Sequence, residues 1–247
     1  NNNLLATSDF YTSAFTAEYG DVLSGVYDIK LRSGNNERFE GVFGMGIMGT
    51  DVTLEGPLKK GYTGSYLLNY RYSTITLISN LGLVDRSGVT IFQDGAFKIM
   101  LPSDKLGTFS IFGLGGYSGF NLENMSGLEA MGSPGHSAQL STLSKDHSTR
   151  SYLFNTGINH SINLSQKTYL NTSVVYSTDG INDNVQARAI SSARDQGSSY
   201  QYFDGDLSKS TYRGAVTFHY KINNQHKLQA GIKYAHFSYD YFQQLRK

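Results

Sequence analysis

Residues 211–223 read Thr-Tyr-Arg-Gly-Ala-Val-Thr-Phe-His-Tyr-Lys-Ile-Asn. Tyr212, Gly214, Val216, Phe218, Tyr220 and Ile222 fall on one side, and Arg213, Ala215, Thr217, His219, Lys221 and Asn223 on the other. Alternation of period two over this length predicts a strand with one apolar and one polar face. The following stretch repeats the pattern, with Leu228, Ala230, Ile232 and Tyr234 opposed to Lys227, Gln229, Gly231 and Lys233. Only Asn-Asn-Gln-His, residues 223–226, separates the two, which is a hairpin connection. Two further segments alternate in the same way. Tyr152, Phe154, Ile158 and Ile162 oppose Ser151, Asn155, Asn159 and Ser161, and Tyr62, Tyr66, Leu68, Tyr70 and Tyr72 oppose Thr63, Ser65, Asn69, Arg71 and Ser73.

Less regular strands fit residues 38–47, 50–57, 88–101, 106–118 and 167–177. The total is about nine, each near the ten residues that a tilted membrane-spanning strand needs, about twice the usual length in water-soluble domains. The connections sort by length. Those at 57–60, 102–105, 163–166 and 223–226 are tight, whereas 74–87, 119–148 and 178–210 are long, polar and rich in Gly, Ser, Asn and Asp. Short turns at one end and long loops at the other are the pattern of an outer-membrane barrel, and a soluble sandwich has no reason to sort its loops so strictly. The apolar sides are then expected to face lipid. Tyr62, Tyr72, Tyr117, Tyr152, Tyr176 and Tyr212 stand near strand ends, as an interfacial aromatic girdle would require. The fold expected is all-β: a partial antiparallel transmembrane barrel.

Composition agrees with strands and turns. Among 247 residues there are 27 Gly, 18 Tyr and 14 Phe, against 3 Pro and no Cys, so a disulfide framework is excluded. The formal net charge of +1 gives no basic excess for nucleic acid. A mean hydropathy of −0.34 does not argue against a membrane barrel, whose alternating strands average to mild polarity. No apolar run is long enough for a transmembrane helix. Residues 1–7, Asn-Asn-Asn-Leu-Leu-Ala-Thr, lack the basic start and long apolar core of a signal peptide, so the reading expects an internal piece of a longer outer-membrane protein.

Two stretches near the start are more specific. Phe15-Thr-Ala-Glu-Tyr-Gly20 is followed by Ser24-Gly25-Val-Tyr-Asp-Ile-Lys-Leu-Arg32-Ser-Gly34, and then come Gly49-Thr-Asp-Val-Thr-Leu-Glu-Gly-Pro-Leu58 and Gly64-Ser-Tyr-Leu-Leu-Asn-Tyr-Arg-Tyr-Ser-Thr74. This succession resembles the end of the plug and the first barrel strands of a TonB-dependent outer-membrane receptor. The branch it is most similar to carries an N-terminal carboxypeptidase-like regulatory domain. The specific motifs cover roughly residues 8–75, and the remainder matches in pattern alone. The resemblance implies that residues 1–35 are the C-terminal end of a plug domain and residues 36–247 the N-terminal portion of a barrel. Such a barrel has about 22 strands, so about nine are less than half of it.

The resemblance implies a receptor that imports a large or scarce substrate, whether metal chelate, peptide or glycan, without breaking a bond in it. Energy comes from a TonB-type transducing complex, and a surface lipoprotein is a further partner the family allows. Outer-membrane lipid is the surrounding partner, no cofactor is expected, and the short turns should lie in the periplasm. Gly20, Gly25 and Gly34 are read as points of close backbone approach or positive φ. Glu18, Asp28 and Arg32 in the plug-like part, with Asp51, Glu55 and Arg71 on the polar face of the first strands, are the expected plug–barrel contacts; Lys30 is a further charge there. For each alone, a solvated charge is the plainer reading.

Other motifs are set aside. Gly44-Met-Gly46-Ile-Met-Gly49 has dinucleotide-type spacing but is followed by a strand pattern rather than a helix. The six histidines lack metal-ligand spacing, and Asp179, Asn182, Asp183, Asn184, Asp204 and Asp206 depart from the calcium-loop pattern, so no metal or catalytic residue is expected. The alternatives are a passive porin or surface-binding barrel, against which the plug-like segment argues, and a soluble β-sandwich, which would dissolve without detergent.

Overall fold

A computed structural model of the protein describes residues 2–12, 15, 19–20, 24–47, 49–83, 90–122, 143–192 and 195–245. Two sheets account for about three quarters of them. The small one pairs β1 (Asp9–Tyr11) with β2 (Val26–Asp28), antiparallel. The large one contains β3 (Glu40–Met45), β4 (Thr50–Pro57), β5 (Ser65–Tyr72), β6 (Ile91–Ser103), β7 (Gly107–Leu122), β8 (Leu143–Ser165), β9 (Thr168–Ser192), β10 (Asp195–Lys221) and β11 (Lys227–Leu245). Every strand pairs antiparallel with its neighbours in sequence, so the sheet is a nine-stranded meander running from β3 to β11. It is open, with β3 and β11 as its edges.

The register joins the alternating segments into two continuous faces. Leu54, Leu68, Phe97, Gly113, Thr156, Tyr176 and Tyr212 are successive cross-strand partners from β4 to β10. Partners share a face, so this row and its neighbours two residues up and down each strand define an apolar face. The adjacent row belongs to the opposite, polar face: Thr53, Asn69, Ala96, Leu114, Asn155, Ser177 and Thr211. A slip of one residue in any pair would have exchanged the faces.

Burial is inverted relative to a water-soluble sheet. On β4 and β5 the polar-face residues Thr53 and Asn69 are 1 % and 6 % exposed, while Leu68 and Phe43 on the apolar face are 44 % and 69 % exposed. What covers the polar face there is the N-terminal segment. Leu4–Tyr11 runs against Val26–Arg32 through β1–β2, the Leu5–Leu31 bridge and the hydrogen bonds Ala6 N–H to Lys30 C=O (2.8 Å) and Arg32 N–H to Leu4 C=O (2.9 Å).

Strand lengths correct the sequence reading. Three tight connections hold, with β8 and β9 joined by Gln166-Lys167 alone, β6 and β7 by residues 104–106 and β10 and β11 by residues 222–226, whereas the one expected at 57–60 extends over residues 58–64 and leaves Tyr62 outside β5. The expected long loops do not hold as loops. Residues 119–122 and 143–148 belong to β7 and β8, and 178–192 and 195–210 to β9 and β10, which pair far past the segments that alternate. β10 has 27 residues, where about ten were expected. Backbone pairing is indifferent to polarity, so a polar stretch continues a ladder as readily as an apolar one. Within 74–87, residues Thr74–Asn80 form a helix, α1, whose N-cap Ser73 accepts a hydrogen bond from the Thr76 N–H at 3.3 Å. Residues 84–87, 123–142 and 193–194 of those expected loops, and residues 88–89 of the expected strand 88–101, lie outside the described residues.

Candidate functional site on the polar face

The polar face of β4–β6 receives the chain where it leaves the N-terminal segment. Arg32 reaches Glu55 on β4 as a two-pronged pair, Nη1 donating to Oε2 and Nη2 to Oε1, both at 2.6 Å. Its Nε donates to the Asn3 carbonyl at 2.5 Å, so one guanidinium links the stretch ahead of β1 and the stretch after β2 to the sheet. The fork geometry of arginine makes such a contact directional as well as strong. Glu55 also accepts the Asn35 N–H at 2.7 Å and is only 7 % exposed in its side chain. The carboxylate of Glu55 raises the Arg32 guanidinium above its already high ordinary pKa, through hydrogen bonding first and charge second. From β6, Lys98 donates to the Leu31 carbonyl at 2.6 Å.

Between these anchors Gly34 packs on the backbone of β5. A Cβ built there would stand 2.0 Å from the Tyr66 carbonyl oxygen, so only glycine permits the approach. The close-approach reading of Gly34 is therefore met by the structure. For Gly25 the nearest atom is the Tyr11 carbonyl at 3.3 Å, and Gly20 has nothing within 4 Å. None of the three has positive φ, which among the described glycines belongs to Gly61, Gly82 and Gly107.

The remaining candidates divide. Asp28 lies in the small sheet, where it accepts from the Tyr19 hydroxyl at 3.2 Å and faces Lys30 at 3.2 Å. Lys30 also pairs with Asp9 at 2.9 Å, and these carboxylates, Asp9 first, hold its ammonium above its ordinary range. Asp28 thus braces the N-terminal segment internally instead of touching the sheet through any contact described. Arg71 pairs within the sheet, donating to Asp94 of β6 at 2.7 Å with Phe92 5.3 Å from its guanidinium. Asp51 faces Gly44 across β3–β4, where a Cβ would come within 2.7 Å of its carboxylate. Glu18 lies outside the described residues. Sequence reading missed Lys98, Asn35 and Asp94. Lys98 carried a signal, a lone lysine between Phe97 and Ile99 on β6.

A second contact reaches the far edge of the sheet. The Lys233 ammonium on β11 lies 5.9 Å from the ring of Tyr19, which in turn packs against Tyr11. Lys233 on β11 and Glu55 on β4 stand on the same face, so contacts to the N-terminal segment come from both ends of the meander.

At the end of the sheet away from the short turns, His147 Nε2, Thr149 Oγ1 and Asp183 Oδ1 converge, at 2.5 Å and 2.6 Å from the carboxylate. Asp183 and its acidic and amide neighbours 179–184, 204 and 206 thus lie on paired strands rather than in loops. Among the described residues no group of three or more His, Cys, Asp or Glu could hold a metal ion. No helix among them is long and apolar enough to cross a membrane, which says nothing of strands.

No family model matches the chain, and no curated protein or solved structure matches it.

Proposed function

We propose that the protein is part of an outer-membrane receptor in which the N-terminal segment is the end of a plug and the nine-stranded sheet is part of a barrel wall. One observation carries the reading: a sheet whose apolar face holds a broad run of exposed and half-buried apolar side chains with no element packed on it, while its polar face over β4–β6 is covered by a segment of the same chain. Eight gaps of about 4.8 Å give a width of roughly 40 Å, and an apolar band about 25 Å tall then covers on the order of 1,000 Å². Water-soluble monomers rarely expose more than a few hundred Å² of contiguous apolar surface. Hydrocarbon is the medium that makes such a face favourable, and closure into a barrel is what removes the open edges β3 and β11 within it.

The rows of tyrosine support the same placement. Tyr117 and Tyr152 are cross-strand partners on the apolar face, and Tyr176 and Tyr212 pack with tilted rings 4.8 Å apart between centroids. Beyond them that face turns polar, with Thr178, Asn182, Ser208 and Asp206, as expected where a strand leaves the bilayer for water.

The function proposed is active import of a large or scarce substrate, driven by a TonB-type complex at the inner membrane, with the substrate left covalently unchanged. The Arg32–Glu55 pair, Lys98 and the Gly34 contact hold the plug end against the wall. Opening requires that they separate, and a buried carboxylate deprived of its partner is costly, so the closed state resists spontaneous leakage. A passive porin would have no need of such a tie.

The test is made in Gram-negative cells producing the protein. It should fractionate with the outer membrane, and an impermeant maleimide should label Cys at Ser199, on the β9–β10 extension, but not Cys at Lys59, in the short connection after β4. Recovery in the soluble fraction without detergent would sink the membrane reading, and labelling at Lys59 alone would invert the topology.

A further inference from the structure

At the short-turn end of the sheet, the hairpins β8–β9 and β10–β11 flank a cleft of about 820 Å³. Its lining includes Lys167, Lys221 and Lys227, the Tyr169–His219 ring pair and Gln229, and no Asp or Glu. Local geometry brings the three lysines to one corner of the sheet. Asn223 Oδ1 accepts the N–H groups of Gln225 (2.9 Å) and His226 (2.8 Å), and Ile222 N–H donates to the His226 carbonyl (3.1 Å), which fixes the turn. That turn sets a register in which Lys221 and Lys227 are direct cross-strand partners on the polar face. The Lys221 N–H donates in turn to the Lys167 carbonyl at 2.8 Å, which brings the third lysine to the same corner.

Like charges directly opposite on adjacent strands are destabilising, and a local rule broken without a compensating contact is the mark of a functional position. An anion seated among the three ammonium groups supplies the compensation through charge-assisted hydrogen bonds. Beside them, Tyr169 and His219 stack with ring centroids 4.1 Å apart and planes 8° apart, giving the cleft one flat, weakly polar wall. The volume falls in the range of small-molecule sites and exceeds what a bare inorganic anion fills.

We infer that this cleft binds an organic phosphate, with Lys167, Lys221 and Lys227 holding the phosphate and the Tyr169–His219 pair lining the site of its organic part. The inference uses the described hairpins alone, and it stands or falls separately from the transport reading. The phosphate can belong to a soluble phosphoester or to the headgroup of an anionic lipid.

The experiment is calorimetric titration of the full 247-residue chain in a neutral detergent with glycerol 3-phosphate and with inorganic phosphate. In parallel, the chain is co-sedimented with phosphatidylcholine vesicles with and without phosphatidylglycerol. Saturable one-to-one binding of glycerol 3-phosphate, tighter than inorganic phosphate, identifies a soluble ligand, whereas binding seen only with phosphatidylglycerol identifies a headgroup. In either case Lys221→Gln with Lys227→Gln should weaken binding about tenfold or more, the scale of losing charge-assisted contacts. Lys209→Gln, on the extension of β10, should leave it unchanged. Lys227→Gln alone should keep or raise the ligand-free melting temperature, because the facing ammonium pair is relieved, and it serves as the test if the double variant folds poorly. Binding of no phosphate in any form, equal binding by the lysine variants, or preference for polyglutamate over every phosphate overturns the inference.

Discussion

The turn-side half of β9, β10 and β11 and its continuation away from the turns, as far as Phe203, are one unbroken ladder with two opposite polarities. Near the turns the apolar face carries Leu170, Val174, Val216, Phe218 and Ile232, and the polar face carries Ser173, Thr217 and Lys233. Past Tyr176 and Tyr212 the first face carries Thr178, Asn182, Ser208 and Asp240, while the second acquires Ile181, Leu207 and Tyr241, which are mutual neighbours. Lys209 there lies 5.7 Å from the ring of Phe237 and 5.6 Å from that of Tyr239. Backbone pairing continues through the change. Strand geometry therefore sets only the period of the alternation, and its phase changes along a single ladder.

The comparison breaks if the two halves respond alike to a charge on the same face. In lipid vesicles, with unfolding followed in urea, Leu68→Arg and Val216→Arg should each cost about 2–4 kcal/mol, and Thr217→Arg on the opposite face should be close to neutral. Equal costs on both faces would mean that the apolar face meets no hydrocarbon.

Next in size is the tie between segment and wall. Arg32→Ala leaves Glu55 buried with the Asn35 amide as its remaining described partner, and about 2–3 kcal/mol should be lost, since Arg32 itself is a third exposed. Arg32→Lys keeps the charge without the fork and should recover only part of that loss. A double-mutant cycle with Glu55→Ala that yields no coupling energy would reduce the pair to two solvated charges.

Gly34→Ala tests backbone contact without charge. The added methyl meets the Tyr66 carbonyl, so segment or strand must shift, at a cost of about 1–3 kcal/mol and with loss of amide exchange protection at residues 31–35. Gly20→Ala, in open space, is the control, and a similar response from both would remove the close-packing argument.

The smallest effect is the most discriminating. Asn182→Arg and Ser208→Arg sit on the same face as Val216 but in the extension, and should stay within about 0.5 kcal/mol of wild type. A penalty like that of Val216→Arg would extend the apolar medium over the whole strand and erase the distinction between the halves.

The sequence alone determined the β class, the strand order implied by tight turns, and which residues of 62–72, 152–162, 211–223 and 227–234 share a side, because period two leaves no other placement for an alternating run. It located Arg32 and Glu55 as charges but could not pair them, since they are 23 residues apart and meet only when the segment folds back over β4. It misjudged 178–192 and 195–210 as loops, because a ladder made of backbone hydrogen bonds needs no particular side-chain polarity. Only the tertiary structure decided that the separate apolar sides merge into one face, for that depends on cross-strand register, and that the N-terminal segment covers the other face over β4–β6.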